Sequence, residues 1–136
     1  MKVTSKGRYG IIAMMELYQS SRLVKNREIA EKHNISVKYL EQIINILKKN
    51  QLVKSARGAD GGYTLALPGN KITIYQILEA LEGDLSVMDK SDKNWNQNAD
   101  CFWQEIDNQI KEYLKISLED FVKKCKQNSE ELMYFI

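Results

Sequence analysis

Residues 36–63, SVKYLEQIINILKKNQLVKSARGADGGY, decide the fold of this chain of 136 residues. Leu40, Ile44 and Leu47 recur at the spacing of one helix face, which predicts an amphipathic helix from residue 37 to about residue 50. The opposite face of this helix is polar and presents Lys38, Glu41, Gln42, Asn45, Lys48 and Lys49. Such a helix packs on a core along its apolar stripe and leaves its polar face in solvent.

The second half of the same stretch predicts a β-hairpin. Strands are expected at residues 52–55 and 63–67, and the glycines between them can adopt the positive φ angles of a tight turn. These glycines are Gly58, Gly61 and Gly62. Arg57, just before the turn, can reach a phosphate or a narrow minor groove. A nucleotide phosphate loop is a weaker interpretation, because the Walker lysine spacing is absent and a strand follows instead of a helix.

The residues before position 36 supply a second, shorter helix. Asn26 is a candidate N-cap for a helix at residues 27–33, and Ser36 is the N-cap of the helix that follows. A short helix, a tight turn and a second helix with a polar face form a helix-turn-helix, whose second helix lies in the DNA major groove. An ordinary helical hairpin has the same periodicity. The β-hairpin favours the winged helix-turn-helix, a mainly α fold with a small β-hairpin wing.

The charge of the chain is divided unevenly, although its net value is only +2. Residues 1–57 carry twelve basic and four acidic side chains, a net charge of +8, whereas the remainder has a net charge of −6. Such polarity favours a polyanion at one end of the molecule and keeps the other end away from it. A solvated lysine-rich surface would give the same count. Taken together, the basic half and the hairpin point to DNA.

The remaining sequence predicts one further helix before the hairpin stretch and several after it. The first helix runs from about residue 5 to 19, and a helix capped by Thr73 and Gln76 ends at Glu82. Residues 83–98 lack periodicity and predict a long loop. A helix at about residues 99–115 and a short one, capped by Ser117 and Asp120 and ending near residue 124, complete the chain. The predicted division is a winged helix-turn-helix DNA-binding domain at 1–83, a loop at 84–98, and a dimerisation helix with a C-terminal segment at 99–136.

The long C-terminal helix carries an apolar stripe that the DNA-binding domain does not need. It consists of Trp103, Ile106, Ile110 and Leu114. Aromatic and aliphatic residues at helical spacing usually face a core. Because the predicted domain at 1–83 is complete without this helix, we expect the stripe to pack against a second copy of the chain.

Several classes of protein are disfavoured by the composition. No segment approaches the roughly 18 apolar residues of a membrane span, and the amino terminus lacks the apolar core of a signal peptide. We therefore expect a cytoplasmic protein without membrane contact. The two cysteines, Cys101 and Cys125, are expected to be free thiols. His33 is the single histidine and has no nearby nucleophile arrangement, so an enzyme is not expected.

Four motifs resemble one family in order along almost the whole chain. They are residues 5–9 (SKGRY), 39–42 (YLEQ), 57–63 (RGADGGY) and 77–83 (ILEALEG). The pattern resembles the Rrf2 winged-helix transcription regulators. That resemblance implies a homodimer whose long helix, here about residues 99–115, crosses onto the partner, and whose two heads bind an inverted repeat in double-stranded DNA.

The resemblance also implies roles for individual residues. Base edges would be read by Ser36, Lys38, Tyr39, Glu41 and Gln42. The phosphate backbone would be held by Lys6, Arg8, Lys48 and Arg57, beside a wing built from Gly58, Gly61, Gly62 and Tyr63. Glu41 can accept a hydrogen bond from cytosine N4, and Gln42 can bond adenine or a phosphate.

The family has branches that sense different signals, and the loop at 84–98 bears on the choice. Iron–sulfur members carry three closely spaced cysteines in this loop and at the start of the long helix, whereas this chain has only Cys101 in that region. The closer likeness is to repressors of cysteine metabolism, reinforced by residues 117–120 and 133–136. It implies repression of sulfur and cysteine genes, no cofactor, and a cysteine synthase as one candidate partner. The alternative is an iron–sulfur or thiol redox sensor that uses Cys101.

Overall fold

The computed structural model describes residues 1–134 and has the mainly α architecture with a β-hairpin that the sequence predicts. Within these residues the elements in chain order are α1 Ser5–Gln19, α2 Asn26–His33, α3 Val37–Lys49, β1 Val53–Ala56, β2 Gly62–Leu65, a 3-10 turn Gly69–Lys71, α4 Ile74–Glu82, α5 Gln97–Leu114 and α6 Leu118–Tyr134. Of the C-terminal motif at 133–136, the last two residues lie outside the described residues. None of the helices in the described chain has the length and apolar character needed to cross a bilayer.

A single core joins the helices of residues 1–83, which we call the head. Its buried side chains include those of α1 (Ala13, Met14, Leu17), α3 (Leu40, Ile43, Ile44, Leu47) and α4 (Ile77, Leu78, Leu81). Burial of each large aliphatic side chain contributes about 1.5–3 kcal/mol before conformational entropy is subtracted. The stripe on α3 is the one that the sequence predicts, so the orientation of its polar face follows from the core.

The wing is an antiparallel pair in which Val53 faces Leu65 and Ala56 faces Gly62. The predicted first strand began one residue early, because the Leu52 amide still donates to the Leu47 carbonyl at 3.0 Å and belongs to the turn that leaves α3. The predicted second strand was also displaced toward its C-terminal end. The ladder stops at Leu65, two residues before the predicted end.

The start of α2 differs from the sequence prediction. Asn26 is the first residue of the helix and not its cap, and Lys25 stands at the N-cap position. The Asn26 Nδ2 group instead donates to the Val37 carbonyl at 3.0 Å. This bond ties the first turn of α2 to the first turn of α3, so the asparagine joins the two helices of the helix-turn-helix.

Three helix caps are confirmed, among them Ser117, whose Oγ accepts from the Asp120 amide at 3.0 Å, and one helix start is corrected. The Ser36 Oγ accepts from the Tyr39 amide at 3.3 Å, and Thr73 and Gln76 form the expected capping box. The helix predicted at about residues 99–115 begins two residues earlier, because the Asn96 side chain caps it by accepting from the amides of Asn98 and Ala99.

The last helix was predicted to end near residue 124, and that prediction was wrong. In the structure α6 continues to Tyr134, because the residues after position 124 are mostly good helix formers such as Lys, Gln, Glu, Leu and Met. Leu118 and Val122 are 0% and 2% exposed. The Leu118 amide donates to the Ile72 carbonyl at 2.7 Å, so α6 is fastened to the head just before α4.

Candidate nucleic-acid interface

Helix α3 presents the polar face on which the predicted base-reading residues lie. Ser36, Lys38, Glu41 and Gln42 are exposed, and Leu40 between them is fully buried. Lys48 is exposed as well. It follows Lys38 by ten residues, which is about 15 Å along the axis of an α-helix. The face is therefore a continuous exposed strip, with its mixed polar residues at the start and a lysine at the far end.

Tyr39 differs from its neighbours, because it is half-buried between α3 and α1. Its ring meets the edge of the Tyr9 ring at a centroid distance of 6.0 Å and an interplanar angle of 78°. A hydrogen bond of 3.2 Å joins its hydroxyl to the Ser5 Oγ. These contacts bring the start of α1 beside the start of α3. The predicted phosphate-binding residues Lys6 and Arg8 therefore lie in the turn next to the reading helix.

The first turn of α1 is capped from a distant helix. Thr4 stands at the N-cap position but makes no capping bond with its own side chain. Instead, the Glu82 Oε1 accepts from the Thr4 amide at 3.1 Å, the Thr4 hydroxyl at 2.7 Å and the Gly7 amide at 2.8 Å. A carboxylate at a helix N-terminus satisfies free amides and is favoured by the helix dipole. Glu82 thus fixes the turn that carries Lys6 and Arg8.

The wing projects Arg57 into solvent at the end of β1. Gly58 has a φ of +109°. Gly61 is buried, and a Cβ atom there would collide with the main-chain carbonyl of Ala56. The turn after Arg57 therefore depends on glycine both for its backbone angles and for the close approach of its own main chain.

The wing is also attached to the start of α2. The Tyr63 amide donates to the Val24 carbonyl at 2.8 Å, and the Val24 amide returns the bond at 3.0 Å. The Lys25 ammonium donates to the Ala59 carbonyl near the wing tip at 3.1 Å. Tyr63, predicted as part of the wing, is half-buried and serves at its base. These contacts set the position of Arg57 relative to the helix-turn-helix.

The candidate DNA-contacting cations have no carboxylate partners in the described part of the chain. There the ion pairs are Arg22 with Glu28, Lys32 and His33 with Glu16, and Lys115 with Glu112. None of these ion pairs includes a candidate DNA-contacting cation, that is, Lys6, Arg8, Lys38, Lys48 or Arg57. Their charges are consequently available to a polyanion, as a salt-sensitive phosphate interface requires.

A second feature is the apolar face of α5. None of the residues of this helix is buried in the single chain. Trp103 is 45% exposed, and Phe102 beside it is 56% exposed, whereas Ile106, Ile110 and Leu114 are half-buried. A contiguous exposed patch with two large aromatics is typical of a protein–protein interface. None of these α5 residues lies on the polar face of α3.

The cysteines do not form a ligand set within one chain. Cys101 is exposed near the start of α5, where its thiol donates to the Asn98 carbonyl at 3.5 Å, and Cys125 is half-buried on α6. In residues 1–134 no three His, Cys, Asp or Glu side chains converge as metal ligands. An iron–sulfur cluster takes four protein ligands, usually thiolates. The donors of a single chain do not fit such a cluster.

Three residues that hold the elements of the interface in place were not predicted to do so from the sequence. Asn26 and Lys25 bind main-chain carbonyls of α3 and of the wing, and Glu82 caps α1. The signal for Glu82 was present, since it belongs to the motif at 77–83. Its partner Gly7 lies in the motif at 5–9, and only the structure shows that the two motifs meet.

The architecture and the sequence match those of known transcription regulators. The CymR regulator of Bacillus subtilis (strain 168) is 34% identical over 139 residues, which cover 100% of both chains. Its solved structure, described as that of the global cysteine regulator, has a TM-score of 0.83 and covers 91% of this chain and 98% of that one, at 35% identity. The IscR structure from T. potens has a TM-score of 0.78 and 37% identity, and covers 94% of this chain and 90% of that one.

A family model covers most of the chain. The Rrf2 model, described as an iron-dependent transcriptional regulator, matches residues 3–124. This range includes the reading helix, the wing, α4 and the whole of α5. The chain therefore belongs to the Rrf2 family and is a helix-turn-helix transcriptional regulator, not an enzyme.

Proposed function

We propose that the chain is a homodimeric repressor that binds an inverted repeat in double-stranded DNA. The observation that carries the proposal is the exposed polar face of α3, flanked by the unpaired cations of the α1 start and of the wing. In this arrangement Ser36, Lys38, Glu41 and Gln42 read base edges, and Tyr39 orients them. Residues 1–83 act as the DNA-binding part, 84–98 as a connecting loop, and 99–136 as the dimerisation part with the C-terminal segment.

The phosphate backbone is held by side chains on both flanks of α3. Lys6 and Arg8 contact it from the start of α1, Lys48 from the end of α3, and Arg57 from the wing turn of Gly58, Gly61 and Gly62, with Tyr63 at its base. Each such contact releases counterions when it forms, so the affinity falls steeply with added salt.

Operator binding by purified protein tests the assignment of this surface. A palindrome selected from random DNA serves as probe, and its affinity is measured at several salt concentrations. Arg57→Ala is expected to weaken binding to all sequences and to reduce the salt slope by about one. Glu41→Ala is expected to cost about tenfold and to relax discrimination at one base pair. Lys71→Ala and Glu105→Ala, which remove the same charges at exposed sites elsewhere, serve as controls. Unchanged affinity of both the Arg57 and Glu41 variants would overturn the proposal.

The regulated genes are proposed to be those of cysteine and sulfur metabolism. The full-length similarity to CymR supports this choice, as does the single cysteine of the segment 84–101, where the iron–sulfur branch has three. Deletion of the gene is then expected to raise transcription of sulfur-uptake genes under sulfur-replete growth. Binding sites confined to promoters of cluster-assembly genes would contradict it. A cytoplasmic location and a cysteine synthase partner stay predictions. A cysteine synthase that leaves operator binding unchanged when titrated in would remove the latter.

The alternative within the family is an iron–sulfur or thiol sensor that uses Cys101. It is favoured by the iron-dependent description of the family and by the exposure of this thiol at the start of α5. Because the ligands of one chain do not fit a cluster, shared ligation across the dimer would be required. Iron content and the visible spectrum after anaerobic purification decide the matter. Bound iron that is lost in Cys101→Ser would replace the cysteine-metabolism proposal with this one.

A further inference from the structure

Two of the four family-like motifs meet in a single contact between α1 and α4. In this contact two residues at the end of α4 touch α1. Glu82 binds the first turn of α1, and Leu81 packs against Gly10, one turn further along α1. A Cβ atom on Gly10 would collide with the Leu81 side chain, and one on Gly7 would lie 2.5 Å from the Glu82 Oε1. Glycine at both positions therefore leaves room for the Leu81 and Glu82 side chains against α1, and a larger residue would displace them.

The bonds of Glu82 define what the α1 start can do. One carboxylate oxygen accepts three hydrogen bonds, from the Thr4 amide, the Thr4 hydroxyl and the Gly7 amide. These amides belong to the end of a helix that would otherwise be free to bind a phosphate. Because Glu82 already satisfies the Thr4 and Gly7 amides, these two donors are not available to a DNA phosphate, and the side chains of Lys6 and Arg8 become the principal phosphate ligands at this end.

The direction of these side chains depends on the same turn. Ser5, Lys6 and Arg8 share the turn that Glu82 caps, and the Ser5 hydroxyl is joined to Tyr39 on α3 at 3.2 Å. On the far side, Gly83 has a φ of +80° and ends α4 directly after the carboxylate. The cap thus links the end of α4 to the flank of the reading helix.

We propose that Glu82 is a positioning residue for DNA binding, which holds the first turn of α1 so that Lys6 and Arg8 meet the phosphate backbone. This inference rests on the proposed DNA binding. It assigns an acidic residue a favourable role, although simple electrostatics predicts that an acid beside DNA weakens binding.

Three substitutions of Glu82 distinguish the effect of side-chain length from the effect of its negative charge. Glu82→Asp keeps the charge but is one methylene shorter, so its carboxylate falls short of the position at which Oε1 accepts from Thr4 and Gly7. Glu82→Gln loses the charge and keeps an acceptor oxygen at full reach. Glu82→Ala removes both. Glu79→Ala, at an exposed site one turn earlier on α4, controls for the loss of an acidic charge.

The readouts are operator affinity and its salt slope, measured on folded protein well below the melting temperature of each variant. Glu82→Asp and Glu82→Ala are expected to lose about tenfold in affinity and up to about two units of salt slope, because two phosphate contacts are misplaced. Glu82→Gln is expected to bind like the wild type. In the Lys6→Ala/Arg8→Ala background, Glu82→Asp is expected to have almost no further effect.

The outcomes separate this inference from the proposed function. Absence of operator binding by the wild type would overturn the proposed function itself. Normal wild-type binding with unchanged affinity and slope in Glu82→Asp would overturn only the role of Glu82. A loss that simply adds to that of Lys6→Ala/Arg8→Ala would also overturn it, since it would reflect general destabilisation. If Glu82→Ala does not fold, the Asp and Gln variants decide alone.

Discussion

The Glu16 Oε1 lies 2.8 Å from the His33 Nε2 and 2.8 Å from the Lys32 Nζ, so one carboxylate on α1 binds both basic residues at the end of α2. Burial alone would raise the pKa of Glu16. Hydrogen bonds from Lys32 and His33, together with their positive charge, outweigh burial and lower this pKa below its ordinary value of 4.5. The contact fastens the first helix of the helix-turn-helix to the core helix α1.

Replacement of this carboxylate tests its contribution to stability. Glu16→Gln is expected to lower the free energy of unfolding at pH 7 by roughly 1 kcal/mol, because a hydrogen-bonded charge is lost from a half-buried site. A carboxyl whose pKa is lowered in the folded state stabilises the fold at pH values above its unfolded pKa. This stabilisation is lost as the pH falls through the pKa of the folded state. The difference between variant and wild type, measured by urea denaturation, should therefore shrink below pH 4.5. A difference that grows in acid would contradict the assignment.

The wing glycines differ in what a side chain would meet, and this gives a second prediction. Gly62 has a φ of +156°, and a Cβ there would lie 2.8 Å from the Val24 carbonyl oxygen. Gly62→Ala is expected to cost about 2 kcal/mol through strain and collision, and to weaken operator binding by displacing Arg57. Gly58→Ala is the matched comparison, because a Cβ there meets nothing within 4 Å and only its φ is unfavourable. Equal melting temperatures for the two variants would refute the collision with Val24.

Trp103, the exposed member of the apolar stripe of α5, allows a prediction of how a single charge affects assembly. Trp103→Glu is expected to raise the dissociation constant of the dimer at least about tenfold, because the charge would be buried without a partner. Light scattering over a concentration series measures the change. Gln104→Glu, at the neighbouring exposed position, introduces the same charge outside the stripe and should leave the dimer intact. Unaltered association of the Trp103 variant would remove α5 from the interface.

Leucines at the two ends of α6 should respond differently to truncation. Leu118 is 0% exposed, whereas Leu132 on the same helix is 64% exposed. Leu118→Ala is expected to lower the free energy of unfolding by about 2–5 kcal/mol through a core cavity. Leu132→Ala should change it by less than about 0.5 kcal/mol. Similar losses at both positions in thermal unfolding would mean that α6 does not close the core as described.

The helix-turn-helix could be predicted from sequence because its information is local. Ser36 caps α3 through a residue three positions away, and the stripe that begins at Leu40 repeats within one helix. The polar strip that contains Glu41 and Gln42 follows from that stripe alone. The wing was predictable for a similar reason, since its glycines are adjacent in sequence.

Contacts between distant residues set the limit of that prediction. Asn26 has the side chain of a helix cap, but its amide lies beside Val37 in the folded chain and is used there. Glu82 acts on Gly7, which is 75 positions away. The length of α6 was underestimated because the polar run at residues 126–131 interrupts the apolar periodicity, although most of these residues are good helix formers.

That contact of α6 with the head has a consequence for the way the molecule can be divided. The amide of Leu118 is bonded to the Ile72 carbonyl, and the side chains of Leu118 and Val122 complete the same core as Met14. We therefore expect residues 1–83 to lose stability when they are separated from α6 and joined to another dimerisation helix. A chimera designed to keep operator recognition should therefore include the first turns of α6 as well as the DNA-binding part.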